Sequence, residues 1–118
     1  MGNWEGALAR ANEIRLARAR LKRAIRAGDP LLTDVIDPHA EIPNRDEIEK
    51  AIANMTVEEL VCAAPYVGSV RFAKLWQGYS GRPKPGLRVR DLAEARRVAF
   101  AGYLRAKGVG LDRDEAAA

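Results

Sequence analysis

The chain has 118 residues, 47% of them apolar and 31% charged, and a net charge of +4. That length supports one domain with a small core and is too short for two independent ones, and the composition excludes both a disordered tail and a membrane-spanning protein. The opening Met1-Gly2-Asn3-Trp4-Glu5-Gly6 lacks a basic flank ahead of an apolar run, Gly6 stands where a myristoylation signal needs Ser or Thr, and Cys62 is the sole cysteine. A cytoplasmic protein without disulfides or lipid anchor is therefore expected.

The charge is banded. Residues 1–28 carry seven Lys/Arg against two acids, residues 29–60 two against nine, residues 61–108 ten against two, and residues 109–118 one against three. Two basic blocks flank an acidic one, and basic blocks attract polyanions.

From Asn3 to Ala27 the sequence is free of Pro, rich in Ala, Leu and Arg, and stops at Gly28 with Pro30 beyond, which predicts one long helix. Leu8, Ile14, Leu21 and Ile25 form a narrow apolar stripe, while Arg10, Arg15, Arg18, Arg20, Lys22, Arg23 and Arg26 cover most of the remaining surface. With only Glu5 and Glu13 to relieve the self-repulsion, this helix calls for an anionic partner. A short amphipathic piece, Leu31–Ile36, leads into a loop kept extended by Pro38 and Pro43. Three further helix starts are predicted from a capping residue with Glu three positions later: Asn44 with Glu47, Thr56 with Glu59, and Asp91 with Glu94. They place helices at about 45–53, 57–64 and 92–107. A further helix runs from Ser69 to about Gln77, and no segment has strand alternation with hairpin chemistry, so the fold is all-α.

The stretch APYVGSVRFAKLW, residues 64–76, joins two of these helices through Pro65 and Gly68. A glycine at the mouth of a helix permits an unusual backbone shape and lets a bulky group approach the amides of Gly68, Ser69, Val70 and Arg71, whose orphan donors suit an anion. Arg71 and Lys74 add charge for neighbouring phosphates. A plain turn with Ser69 as N-cap is the competing reading of the same residues. A second cluster, Arg82, Lys84, Arg88 and Arg90, lies in a Pro/Gly-rich loop with no acid and leads into a helix carrying Arg96 and Arg97. Single-sign loops are uncommon on ordinary solvated surfaces, which shifts the balance toward nucleic acid.

These segments resemble the actinobacterial integration host factors. RARLKRAIRAG is similar to that family's basic helix end through Arg18, Leu21, Lys22, Arg26 and Gly28. NMTVEELVCAAPYVGSVR matches its central pattern at Met55, Val57, Leu60, Pro65, Val67, Gly68, Val70 and Arg71. RVRDLAEARRVAF does so at Arg88, Val89, Arg90, Leu92, Arg97 and Ala99. The family's Lys after Val-Gly is Ser69 here, and its two later glycines are Asp91 and Ala93, as in a divergent member carried by a phage or other mobile element. The resemblance, over about residues 10–107, implies a long basic N-terminal helix, residues 1–28, and a compact helix-two-turns-helix domain, residues 29–108; residues 109–118 are expected to form a flexible tail. It also implies a non-catalytic, nucleoid-located monomer that binds double-stranded DNA with little sequence preference, shapes it for compaction, bending or integration, and works beside a phage integrase or recombinase. No cofactor or metal is expected. The residues assigned to DNA are Arg15, Arg18, Lys22, Arg26, Gly68, Ser69, Val70, Arg71, Lys74, Arg82, Lys84, Arg88, Arg90 and Arg97.

Enzymatic readings are weak. His39 with Asp37 and Glu41 fits a solvated turn better than a metal site, and Cys62 among Leu60, Val61 and Ala63 fits a buried small hydrophobe better than a nucleophile. Trp76, four residues after Phe72, is expected to pack in the core, whereas Tyr66 is the aromatic expected at a ligand. The competing function is a protein-interaction module, a phage accessory acting on a host partner through the acidic block of Asp46, Glu47, Glu49, Glu58 and Glu59.

Overall fold

In a computed structural model, residues 3–82 and 86–109 are described, with the backbone alone for residues 3–5. The described residues form six α-helices: α1 Asn3–Ala27, α2 Leu32–Ile36, α3 Arg45–Ile52, α4 Val57–Val61, α5 Ser69–Ser80 and α6 Glu94–Ala106. A 3-10 turn, Val89–Asp91, precedes α6. The fold is all-α as expected.

Helix α1 stops where the sequence predicts. Gly28 takes φ +88°, and the amides of Gly28 and Asp29 bond back to the carbonyls of Ile25 and Ala24, closing the helix with a left-handed cap. The stripe on α1 is buried only at its C-terminal end. Leu21 and Ile25 enter the core, while Leu8, Ile14 and Leu16 stay exposed. Helix α1 is 25 residues long, roughly 37 Å, and its buried apolar residues are confined to its last turns. The first half of α1 therefore has no core beneath it.

The three predicted caps fare differently. Thr56 accepts from the Glu59 amide at 3.1 Å and starts α4 as expected. Asn44 does not cap α3: its backbone is left-handed, φ 59°, and no side-chain hydrogen bond reaches the helix. A capping side chain needs an extended backbone, and Asn is among the few residues that tolerate the left-handed alternative. Asp91 does not start α6 either; its Oδ2 accepts the Arg88 amide at 3.0 Å and closes the 3-10 turn. Burial of Val89 and Leu92 pins that turn to the core, so α6 begins two residues later than predicted, at Glu94. Helix α4 ends at Val61, short of Pro65, and α5 runs on to Ser80, where Gly81 at φ +72° terminates it.

One core binds these helices together, with Ile25, Leu32, Ile52, Leu60, Phe72 and Phe100 almost fully buried. Trp76 packs as expected, edge-on to Phe100 with ring centroids 5.3 Å apart, and Tyr79 lies 4.9 Å from the same ring. A Cβ at Gly78, inside α5, would lie 2.2 Å from the Tyr103 hydroxyl, so a larger residue there would displace the end of that half-buried side chain. The segment after the described gap is fastened to the α3–α4 link by backbone bonds. The Val57 amide donates to Leu87 O, Val89 to Met55 O and Arg90 to Ala53 O.

Candidate nucleic-acid interface

The α4–α5 connection descends from α4 through buried Ala63 and Ala64 and reaches the surface at Tyr66. The unusual backbone expected at Gly68 is found at Tyr66 instead, with φ 65°. Gly68 is in the ordinary extended region, φ −101° and ψ −177°, and a Cβ on it would meet nothing within 4 Å. Open space in front of Gly68, rather than backbone freedom, is what this position offers. Gly68, not Ser69, is the N-cap of α5, and no side chain caps the helix. The first amide to bond back is that of Phe72, to Gly68 O at 2.9 Å. The amides of Ser69, Val70 and Arg71 thus face outward with no intrahelical acceptor, at the positive end of a 12-residue helix. Gly68, Ser69, Val70, Arg71 and Lys74 are all exposed. Arg71 folds back over the turn, donating from Nη1 to Tyr66 O at 3.2 Å.

The C-terminal half of α1 lies against the end of α4, where the α4–α5 connection begins. An open groove of about 450 Å³ is lined by Lys22, Arg23, Arg26, Glu59, Cys62 and Ala63, so the cationic edge of α1 and the start of the α4–α5 connection form one surface. Arg23, on the same edge, was not among the assigned residues. Its position one residue from Lys22 on a densely cationic helix was the available signal. Lys22 pairs with Glu59 across the groove, and Arg18 donates from Nε to Ala51 O at 3.2 Å, tying α1 to α3. Arg15 and Arg26 project into solvent.

The second cluster is held by Asn54. Arg88 donates to its carbonyl at 2.7 Å and Arg90 to its Oδ1 at 2.9 Å, and both arginines remain exposed. Arg82 is exposed after α5, and Lys84 lies outside the described residues.

Arg97 is placed differently from the other assigned residues. Its side chain, 12% exposed, donates to Ile36 O at 2.9 Å, to Val35 O at 3.2 Å and to Glu49 Oε1 at 2.9 Å. Its guanidinium faces inward, so its assignment as a DNA contact is corrected to a structural tie. Two other arginines serve the same short helix. Arg45 donates to the carbonyls of Asp34, Val35, Asp37 and Ala40. Arg105 reaches Asp34 Oδ1 at 3.1 Å and Asp37 Oδ2 at 3.0 Å. A five-residue helix leaves most of its C-terminal carbonyls without partners, and these cations supply donors and offset the negative helix end. Part of the acidic block is therefore internal counter-charge for α3 and α6.

Burial would raise the Asp37 carboxyl, but the His39 amide at 2.9 Å and the Arg105 guanidinium outweigh it and hold the group below its ordinary 3.8. The same contact raises Arg105, against the lowering effect of its own burial. A depressed carboxyl stabilises the fold fully above its unfolded value and ceases to do so as pH falls through the folded one. In acid titrations followed by circular dichroism, Asp37→Asn is expected to lose stability at neutral pH and to show a shallower decline than the parent below about pH 4.

His39 Nε2 lies 2.9 Å from Glu94 Oε1 in an exposed pair. No cluster of three or more metal-capable side chains occurs among the described residues. Cys62 is half-buried against the core rather than fully enclosed. No described helix is long and apolar enough to cross a membrane. No family model matches the chain, and no curated protein or solved structure matches it.

Proposed function

We propose that this protein binds duplex DNA through the phosphate backbone, with little preference for sequence and without a catalytic step, as a monomeric architectural factor. Two observations support the proposal: the cationic groove that Lys22, Arg23 and Arg26 on α1 form with the start of the α4–α5 connection, and, at the other end of that connection, the uncapped, exposed start of α5 with Arg71 and Lys74. Backbone amides and flexible cations recognise phosphate wherever it lies along a duplex and carry no base-reading geometry, so affinity without sequence choice follows. Arg88 and Arg90, fixed on Asn54, add two further exposed cations. Roles in compaction, bending and integrase-mediated recombination, and a helix-two-turns-helix assignment, rest on the sequence resemblance.

A docking module that uses the acidic block is less well supported, because Glu49 and Glu59 are engaged by Arg97, Arg45 and Lys22 within the fold. Competition separates the two readings. A labelled duplex held by the protein should be displaced equally by unrelated unlabelled duplexes; failure to bind duplex at low salt would reject the proposal.

A further inference from the structure

Tyr66 combines three properties that seldom coincide. It is a large aromatic residue, it is 65% exposed, and it holds a left-handed backbone, φ 65°, that favours glycine. Val70, on the first turn of α5, is also 70% exposed. Neither side chain contributes to the core, so the fold gains nothing from an aromatic ring at residue 66 that a glycine would not supply at lower backbone cost. The surroundings specify what kind of surface covers the ring. Residues 62–80 contain Arg71 and Lys74 and no acid, and the Arg71 guanidinium sits on the carbonyl of Tyr66 itself. An exposed aromatic tip with a guanidinium on its own carbonyl, in a stretch without acids, complements a polyanion that also has flat apolar faces, which is the chemistry of nucleobases strung on phosphate.

Base faces inside a continuous duplex are stacked and closed to a side chain, but at a gap, mismatch or kinked step they open. We infer that Tyr66 stacks on an exposed base face while α5 and Arg71 hold the adjoining phosphates, so that the protein prefers duplex DNA carrying an unstacked base. This specifies the ligand of the surface described above and holds only if duplex DNA is bound there.

The test uses the full chain and two labelled duplexes of one sequence, one continuous and one lacking a single nucleotide. The parent protein is expected to bind the gapped duplex about tenfold more tightly, the ratio that one aromatic–base stack supplies. Tyr66→Gly, which suits the left-handed backbone and so keeps the turn, should bring that ratio close to one, and Tyr66→Trp should retain it. Equal affinity of the parent for both duplexes, or a preference that survives Tyr66→Gly, would overturn the inference while leaving duplex binding intact. Absence of binding to either duplex would instead remove the proposed function, and the inference with it.

Discussion

Replacing Arg45 with alanine is expected to lower the unfolding free energy by about 3 kcal/mol, a fall in Tm of roughly ten degrees or more for a domain of this size. The side chain is four-fifths enclosed and donates to four main-chain carbonyls, those of Asp34, Val35, Asp37 and Ala40, besides lying 3.6 Å from Glu49. Each hydrogen bond to a charged group contributes about 1.5–3 kcal/mol. The sum is not additive, because water enters the vacated site and satisfies the more exposed carbonyls. Helix α2 is five residues long and cannot persist on its own propensity, so losing its anchor also loosens Leu32, Val35 and Ile36 from the core. Arg45→Lys should recover only part of the loss, since an ammonium offers a point charge where a planar fork is needed. Urea denaturation of the three proteins measures this directly, and a loss under 1 kcal/mol for the alanine variant would contradict the structural role.

The double variant Arg71→Ala/Lys74→Ala is expected to weaken duplex binding by about tenfold or more at physiological salt, to the same degree on unrelated sequences, and to reduce the salt slope by about 2. Both side chains are exposed and stand at the open start of α5, so stability should change by no more than about 0.5 kcal/mol. The matched loss across sequences is the informative part. A phosphate contact is indifferent to the base beside it, whereas a selective loss on one duplex would mean that these side chains read bases.

Local signals carried the parts of this structure that local physics decides. The Gly28 stop, the Thr56 cap and the amphipathic spacing of Phe72 and Trp76 each depend on residues within one or two turns, and each was legible in the sequence. The two missed caps differ: burial of Val89 and Leu92 draws Asp91 into a 3-10 turn, where its side chain accepts the Arg88 amide, whereas Asn44 adopts a left-handed backbone from which no side-chain bond reaches α3. Basic residues are harder still, because an arginine on a surface and an arginine across a helix end look identical in a sequence. Arg97 meets Glu49, 48 positions away, and Arg105 meets Asp37, 68 positions away. Net charge therefore overstates the cations that face outward, and the candidate interface narrows to the C-terminal half of α1, the α4–α5 turn and the pair on Asn54. The place of Tyr66 at the tip of the turn was legible in the sequence, but its left-handed backbone was hidden behind the more obvious glycine at residue 68.

The most direct test of backbone recognition is a titration of the purified protein into one AT-rich and one GC-rich labelled duplex across a series of salt concentrations. The expected result is a steep linear fall of log affinity with log salt, of nearly the same slope on both duplexes, since that slope counts neutralised phosphates. No binding at low salt, or a shallow slope with strong preference for one duplex, would contradict it.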